Sequence, residues 1–202
     1  RYFLDKITNR KLSQQRTKEL TLNYDALFEQ AGNEMGYVVI DGFSFTSPRK
    51  FNGINFDLDI VKRNKNYLER EDNFYRNVFH LYKLHWSVNW EEDWDGFIQD
   101  KNAKWKIIYP WSSKFEASYS MPYFEMISRF QQELRKENTT LSVLGYSFWD
   151  SHINSIIIEA FKTNPSLTIL LVGKSFFDES KQEIINQNIQ SFQQFLNTWR
   201  IK

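Results

Sequence analysis

Leu141-Ser142-Val143-Leu144, then Gly145-Tyr146-Ser147, then Ile153, Ile156, Ile157, Ala160 and Phe161, then Thr168-Ile169-Leu170-Leu171-Val172: this stretch decides the fold. Two short runs rich in Leu, Val and Ile flank a segment whose apolar residues recur at intervals of three and four. The runs have the signature of buried strands, and the segment between them that of one helix face. Strand, glycine turn, helix and strand in that order predict a parallel pair joined by a crossover helix. A further apolar series, Ile185, Ile189, Phe192, Leu196 and Trp199, predicts a helix after the second strand.

Upstream the same alternation continues. Tyr123, Ile127, Phe130 and Leu134 mark an amphipathic helix with Pro122 at its start. Trp105 to Tyr109 reads as a strand stopped by Pro110, and Val78 to Leu84 as a strand ending at His85. Tyr37-Val38-Val39-Ile40, bounded by Gly36 and Gly42, is a short buried strand. Before it, Tyr24, Leu27, Phe28, Ala31 and Met35 keep helical spacing, and Gly36 ends that helix. The first strand is Glu19 to Leu22, stopping at Asn23. Residues 43–76 are polar and irregular, with Pro48 and Gly53: a long loop or small inserted module, carrying one short strand near Leu58 to Val61. Its basic run Lys62-Arg63-Asn64-Lys65 reads as solvated surface rather than a phosphate clamp. The expected architecture is α/β: a Rossmann-type parallel sheet with helices on both faces, forming one domain over residues 1–202.

Composition narrows the function classes. The chain of 202 residues is long enough for one domain with a sizeable core, and its 41% hydrophobic and 25% charged residues are those of a soluble globular protein. A formal net charge of +1 gives no push toward nucleic acid or an anionic membrane. With no cysteine, disulfides, thiolate nucleophiles and cysteine zinc sites are excluded. No apolar run approaches the roughly 20 residues of a membrane helix, and no signal peptide is visible, so a cytoplasmic location fits. The first residue is Arg1 rather than methionine, which suits a fragment or a processed chain. Several of the seven Trp sit in polar company (Trp86, Trp90, Trp94, Trp105, Trp111), as in a pocket wall or contact surface, with core filling the plainer reading.

Ligands of open parallel sheets bind beyond the carboxyl ends of the strands. Three polar groups arrive there: Thr21 to Asp25 after the first strand, His85 after the third, and Gly145 to Ser147 after the penultimate one. Each also has a plainer explanation. Asn23 stands where a helix N-cap belongs, and Asp25 lies in a first turn, where a carboxylate favours the helix dipole. His85, beside Trp86, reads alone as a structural histidine. Gly145 and Ser147 open a helix whose free N–H groups attract phosphate, as many strand-to-helix turns do. Asp150 reads as a cap, and His152 as exposed on the first turn.

Taken together the pieces resemble one family. Thr21-Leu22-Asn23-Tyr24-Asp25 is similar to the T-x-N-x-D motif of sirtuins and sirtuin-like proteins. Lys83-Leu84-His85-Trp86-Ser87-Val88-Asn89-Trp90 resembles the K-L-H-G-S-x-N-W segment of bacterial sirtuin-like domains. Gly145-Tyr146-Ser147-Phe148-Trp149-Asp150-Ser151-His152-Ile153-Asn154 resembles their G-Y-S-F-x-D-x-H-I-N segment, and the three motifs come in family order. The resemblance implies an NAD-binding Rossmann-type core and, in this bacterial branch, NAD+ glycohydrolases that serve as effectors of antiphage defence. On it, Asn23 and His85 are the catalytic candidates. Thr21, Asp25, Gly145, Tyr146, Ser147 and Asp150 are the candidates for holding the dinucleotide. No metal is expected. The implied partners are NAD+, further copies of the chain or a larger defence complex, and an ATPase or a phage-derived activator. A membrane is not among them, and nucleic acid is left open.

Three departures qualify these expectations. The family's glycine-rich strand-turn-helix, which receives the pyrophosphate, is not among these residues, so the chain is expected to be a domain partial at its N-terminus. Trp86 stands where glycine usually follows the histidine. The four-cysteine zinc module of deacetylating sirtuins is ruled out, and Leu22 replaces their glutamine, which disfavours protein deacetylation and favours NAD+ hydrolysis. The competing expectation is a catalytically silent nucleotide-binding or oligomer-building domain, its pocket closed by Trp86; a nucleic-acid-processing module is a weaker third, disfavoured by the neutral charge.

Overall fold

The computed structural model describes residues 2–11, 14–62, 74–94, 97–100 and 121–172. The strand expected at Trp105 to Tyr109, the helix expected through Ile185 to Trp199 and the basic residues 63–65 lie outside the described residues. The chain divides into two compact units, residues 1–127 and 128–202.

The first unit contains α1 (Tyr2–Thr8), β1 (Lys18–Thr21), α2 (Leu27–Glu34), β2 (Val38–Ile40), β3 (Arg49–Lys50), β4 (Val78–Lys83), β5 (Trp90–Glu92) and β6 (Ile98–Asp100). Its main sheet is parallel, with the order β1-β4-β2. The central position of β4 explains its composition, since all six of its residues are buried. On one face Phe79 and Leu81 pack with Leu4 of α1, and Ile7, Phe28, Ala31, Met35, Tyr37 and Val39 close around them. Full burial of a side chain such as Phe79 contributes about 2–3 kcal/mol. The opposite face is covered by a short 3₁₀ helix, Gly53–Asp57, whose Phe56 ring stacks on Tyr82 with centroids 4.4 Å apart. Gly42, just after β2, has φ +85°, and a Cβ there would lie 2.6 Å from the rings of both Phe51 and Phe56. Glycine is therefore required where the chain turns from the sheet into this cover.

Two expectations are corrected here. No strand forms over Leu58 to Val61; Val61 makes only an isolated bridge to Phe74, and the segment carries β3 and the 3₁₀ helix instead. The reason is non-local. Arg49 and Lys50 become a strand because β6 pairs with them across about 50 residues, and β6 also pairs with β5 to give a small antiparallel sheet, β3-β6-β5. The 3₁₀ helix is nucleated by Asn52, whose side chain accepts the Ile54 N–H at 3.1 Å. Secondly, Asn23 is not an N-cap. The α2 helix starts at Leu27, and it is Asp25 Oδ1 that accepts the Leu27 N–H, at 3.1 Å.

Helix α3 (Tyr123–Leu134) spans the division between the units. The second unit holds the predicted strand-helix-strand: β7 (Thr140–Leu144), α4 (Ser151–Thr163) and β8 (Thr168–Val172). Its strands pair in parallel from Thr140↔Thr168 to Leu144↔Val172. Ile153, Ile156, Ile157 and Ala160 form the buried side of α4. Buried Asn164 joins three segments. Its Nδ2 donates to the Leu134 and Lys136 carbonyls at 2.8 Å each, and its Oδ1 accepts from Ser166 N and Oγ. Among the described residues no helix is long and apolar enough to cross a membrane.

Candidate functional site

Thr21 and Lys83 are cross-strand partners at the carboxyl ends of β1 and β4, so the chain leaves both strands side by side. Asn23 and His85 each follow two residues later. Two backbone bonds then run between the departing loops: Leu84 N–H donates to the Thr21 carbonyl, and Val88 N–H to the Tyr24 carbonyl, each at 2.9 Å. Thr21 is buried, and its Oγ1 accepts the Asn23 N–H at 3.0 Å, which turns the first loop. The Tyr24 and His85 rings meet with centroids 5.9 Å apart and planes tilted by 40°. Asn23 itself is exposed, and its side chain makes no hydrogen bond among the described residues, so its amide is open to a ligand. His85 is half-buried. Trp86 packs edge-on against Trp90 at 5.7 Å, with its indole nitrogen buried.

Beneath these loops lies a group of charges that pattern reading passes over. Lys83 is 2% exposed. Its ammonium donates to the Asp25 carbonyl at 2.5 Å and to Ser87 Oγ at 2.8 Å, and it pairs with Glu29 of α2 at 2.7 Å. Burial pushes the Glu29 carboxyl above its ordinary range, with the Asp41 charge adding to the rise and Lys83 opposing it. Asp41 follows β2 directly and binds Arg49 Nη2 at 2.7 and 2.9 Å, while Arg49 Nη1 reaches Asp100 of β6. Burial raises the Asp41 carboxyl too, against the pull of Arg49. A lysine closing a largely apolar strand, and an aspartate beside a glycine at a strand end, were the available signals.

The second unit brings together the remaining candidates at the carboxyl end of β7. Gly145 has φ +62°, nothing lies within 4 Å of where a Cβ would stand, and its N–H donates to the Val172 carbonyl at 2.9 Å. The Tyr146 hydroxyl is 2.8 Å from Asn154 Oδ1 and 3.1 Å from the Asp150 carbonyl, sharing its one proton between them. Burial, and then the Asp150 charge, raise the hydroxyl's pKa. Asn154 Nδ2 donates to the Phe148 carbonyl at 2.7 Å, holding Phe148 at φ +57°. Asp150 caps α4, accepting the His152 and Ile153 N–H groups at 2.9 and 3.1 Å. Tyr146 and Asp150 thus shape the turn, and Gly145, Ser147 and Trp149 are exposed in it.

The structure therefore gathers Thr21, Asn23, Asp25 and His85 at one sheet edge of the first unit, and Gly145, Tyr146, Ser147 and Asp150 in one turn of the second. No cluster of three His, Asp or Glu that could hold a metal is present among the described residues. The sequence profile of the SIR2-like domain matches residues 18–168, from the first residue of β1 to the first residue of β8. No curated protein sequence matches the chain. The profile takes in both groups of loops and the parallel strands that carry them, and this chain belongs to the SIR2-like domain family.

Proposed function

We propose that this chain is an NAD+ glycohydrolase domain that cleaves NAD+ to nicotinamide and ADP-ribose. One observation carries the reading: an exposed asparagine amide and a histidine leave neighbouring parallel strands in loops hydrogen-bonded to each other. Family membership supports the choice of nucleotide, because SIR2-like domains bind NAD+. The groups of the first unit suit that ligand: an amide, a hydroxyl and an imidazole, with an aromatic ring beside the imidazole.

The reaction asks little proton chemistry of the leaving group. The bond between the ribose anomeric carbon and the pyridinium nitrogen breaks, its electron pair returns to the ring, and nicotinamide departs neutral. A water oxygen bonds to the anomeric carbon and releases one proton. The protein has to orient the ribose, favour positive charge at that carbon and place the water. In this reading Asn23 orients the water or a ribose hydroxyl, and His85 accepts the proton, histidine being the side chain that exchanges protons nearest neutral pH. Asp25 and Thr21 hold the loop at the nicotinamide end. Gly145 and Ser147 line the phosphates and adenosine ribose, with Tyr146 and Asp150 keeping their turn in shape. We assign the domain to the effector part of a bacterial antiphage defence system, cytoplasmic and working as an oligomer or in a larger complex with an ATPase or a phage-derived activator.

The full-length protein incubated with NAD+ tests this by nicotinamide release. Asn23→Ala and His85→Ala are each expected to lower kcat by about 100-fold or more. Unchanged turnover in both rejects the assignment. A second reading, a silent nucleotide-binding domain, is favoured by Trp86, whose indole stands directly after His85 and packs against Trp90. Saturable NAD+ binding with no nicotinamide release, with or without activator, selects it.

A further inference from the structure

We infer that Lys83 is the positioning residue of this site, a buried ammonium that sets the two loops carrying Asn23 and His85 in register with each other. The inference rests on the reading of those loops as the NAD+ site. An ammonium has three N–H donors and no acceptor. Here three partners surround it: the Asp25 carbonyl at 2.5 Å, Ser87 Oγ at 2.8 Å and Glu29 Oε1 at 2.7 Å. Asp25 stands two residues after Asn23, and Ser87 two residues after His85. Glu29 lies on α2, which anchors the ammonium to the helix packed on the sheet. The Ser87 hydroxyl, 1% exposed, also lies 3.5 Å from the Tyr24 carbonyl, so both loops converge on one polar knot.

The energetics argue for a positioning role rather than a net stabilising one. Removing an ammonium from water is costly, and ion pairing with a carboxylate in the interior often fails to repay that cost. The Glu29 carboxyl is displaced upward despite its partner, so burial outweighs the pairing. What the pair provides is geometry, since charge-assisted bonds to a carbonyl and a hydroxyl hold each within a short distance range. A misplacement of about 1 Å in a reacting constellation costs about 100-fold in rate.

The test uses the full-length protein in two variants. Lys83→Met with Glu29→Leu removes both charges together and leaves no uncompensated one; Ser87→Ala keeps the ion pair and cuts the arm to the His85 loop together with the long Ser87 contact to the Tyr24 carbonyl. Amide exchange and nicotinamide release are read on each. In both variants the Val88 amide, which bridges the loops, is expected to exchange about tenfold faster or more, with the Leu81 amide of β4 unchanged. The kcat is expected to fall by about 100-fold, with KM changed by less than about threefold. Faster exchange at Val88 with a silent wild type would leave the tether standing and remove the NAD+ reading. Unchanged exchange at Val88 overturns the tether, and faster exchange with unchanged kcat overturns the positioning role.

Discussion

Glu19 presents the sharpest stability prediction. It lies on β1 opposite Leu81, on the sheet face that α1 and α2 cover, and its carboxyl makes no hydrogen bond or ion pair among the described residues. Burial alone pushes its pKa from 4.5 to about 7. The folded state therefore holds this proton more tightly than the unfolded chain does. Stability from this group is complete below about pH 4.5, is lost as pH rises, and levels off above about pH 7. At about 1.4 kcal/mol per pH unit the gap is worth at most about 3.5 kcal/mol, and partial exposure of the residue reduces it to about 1–3 kcal/mol. Glu19→Gln removes the titration while keeping the shape. Urea unfolding of wild type and variant from pH 4.5 to 8.5 reads the difference. The variant is expected to gain about 1–3 kcal/mol on wild type between the ends of that range. Parallel profiles for the two proteins would refute the burial argument.

Two further substitutions test the fold. Gly42→Ala places a methyl against Phe51 and Phe56 at a positive φ, and is expected to cost about 2–5 kcal/mol in urea unfolding; a cost below about 1 kcal/mol would mean that the cover over β2 yields freely. Asn164→Ala removes bonds to the Leu134 and Lys136 carbonyls and to Ser166, with an expected loss of about 2–4 kcal/mol, against about 1 kcal/mol for the surface cap Asp150→Ala. Equal costs for the two would contradict the ranking.

The parts of the fold legible in the sequence were those whose cause is local. Strand β4 carries Val78, Phe79, Leu81 and Tyr82 in a short run that reads as a covered strand, and α4 announces itself through Ile153, Ile156, Ile157 and Ala160. The antiparallel sheet was hidden because a two-residue strand such as Arg49–Lys50 has no periodicity of its own and exists only through its partner β6. Asn23 was readable as a cap candidate because spacing alone does not reveal where a helix begins. The helix begins four residues later, at Leu27, whose N–H is taken by Asp25. The loops were legible as a candidate site through their motifs, whereas the ion pair of Lys83 beneath them was not. Its partners Asp25 and Ser87 stand 58 and 4 residues away, and only the parallel register of β1 and β4 brings them to one ammonium.

In the proposed reaction Asn23 and His85 serve one nucleotide. A crystal structure of the full-length His85→Ala protein, soaked with NAD+, tests that most directly. The expected result is the nicotinamide ribose beside residue 85, with the Asn23 amide within hydrogen-bonding distance of a ribose hydroxyl or of a water at its anomeric carbon. Density for the nucleotide away from both loops, or an Asn23 amide turned from it, would contradict the account.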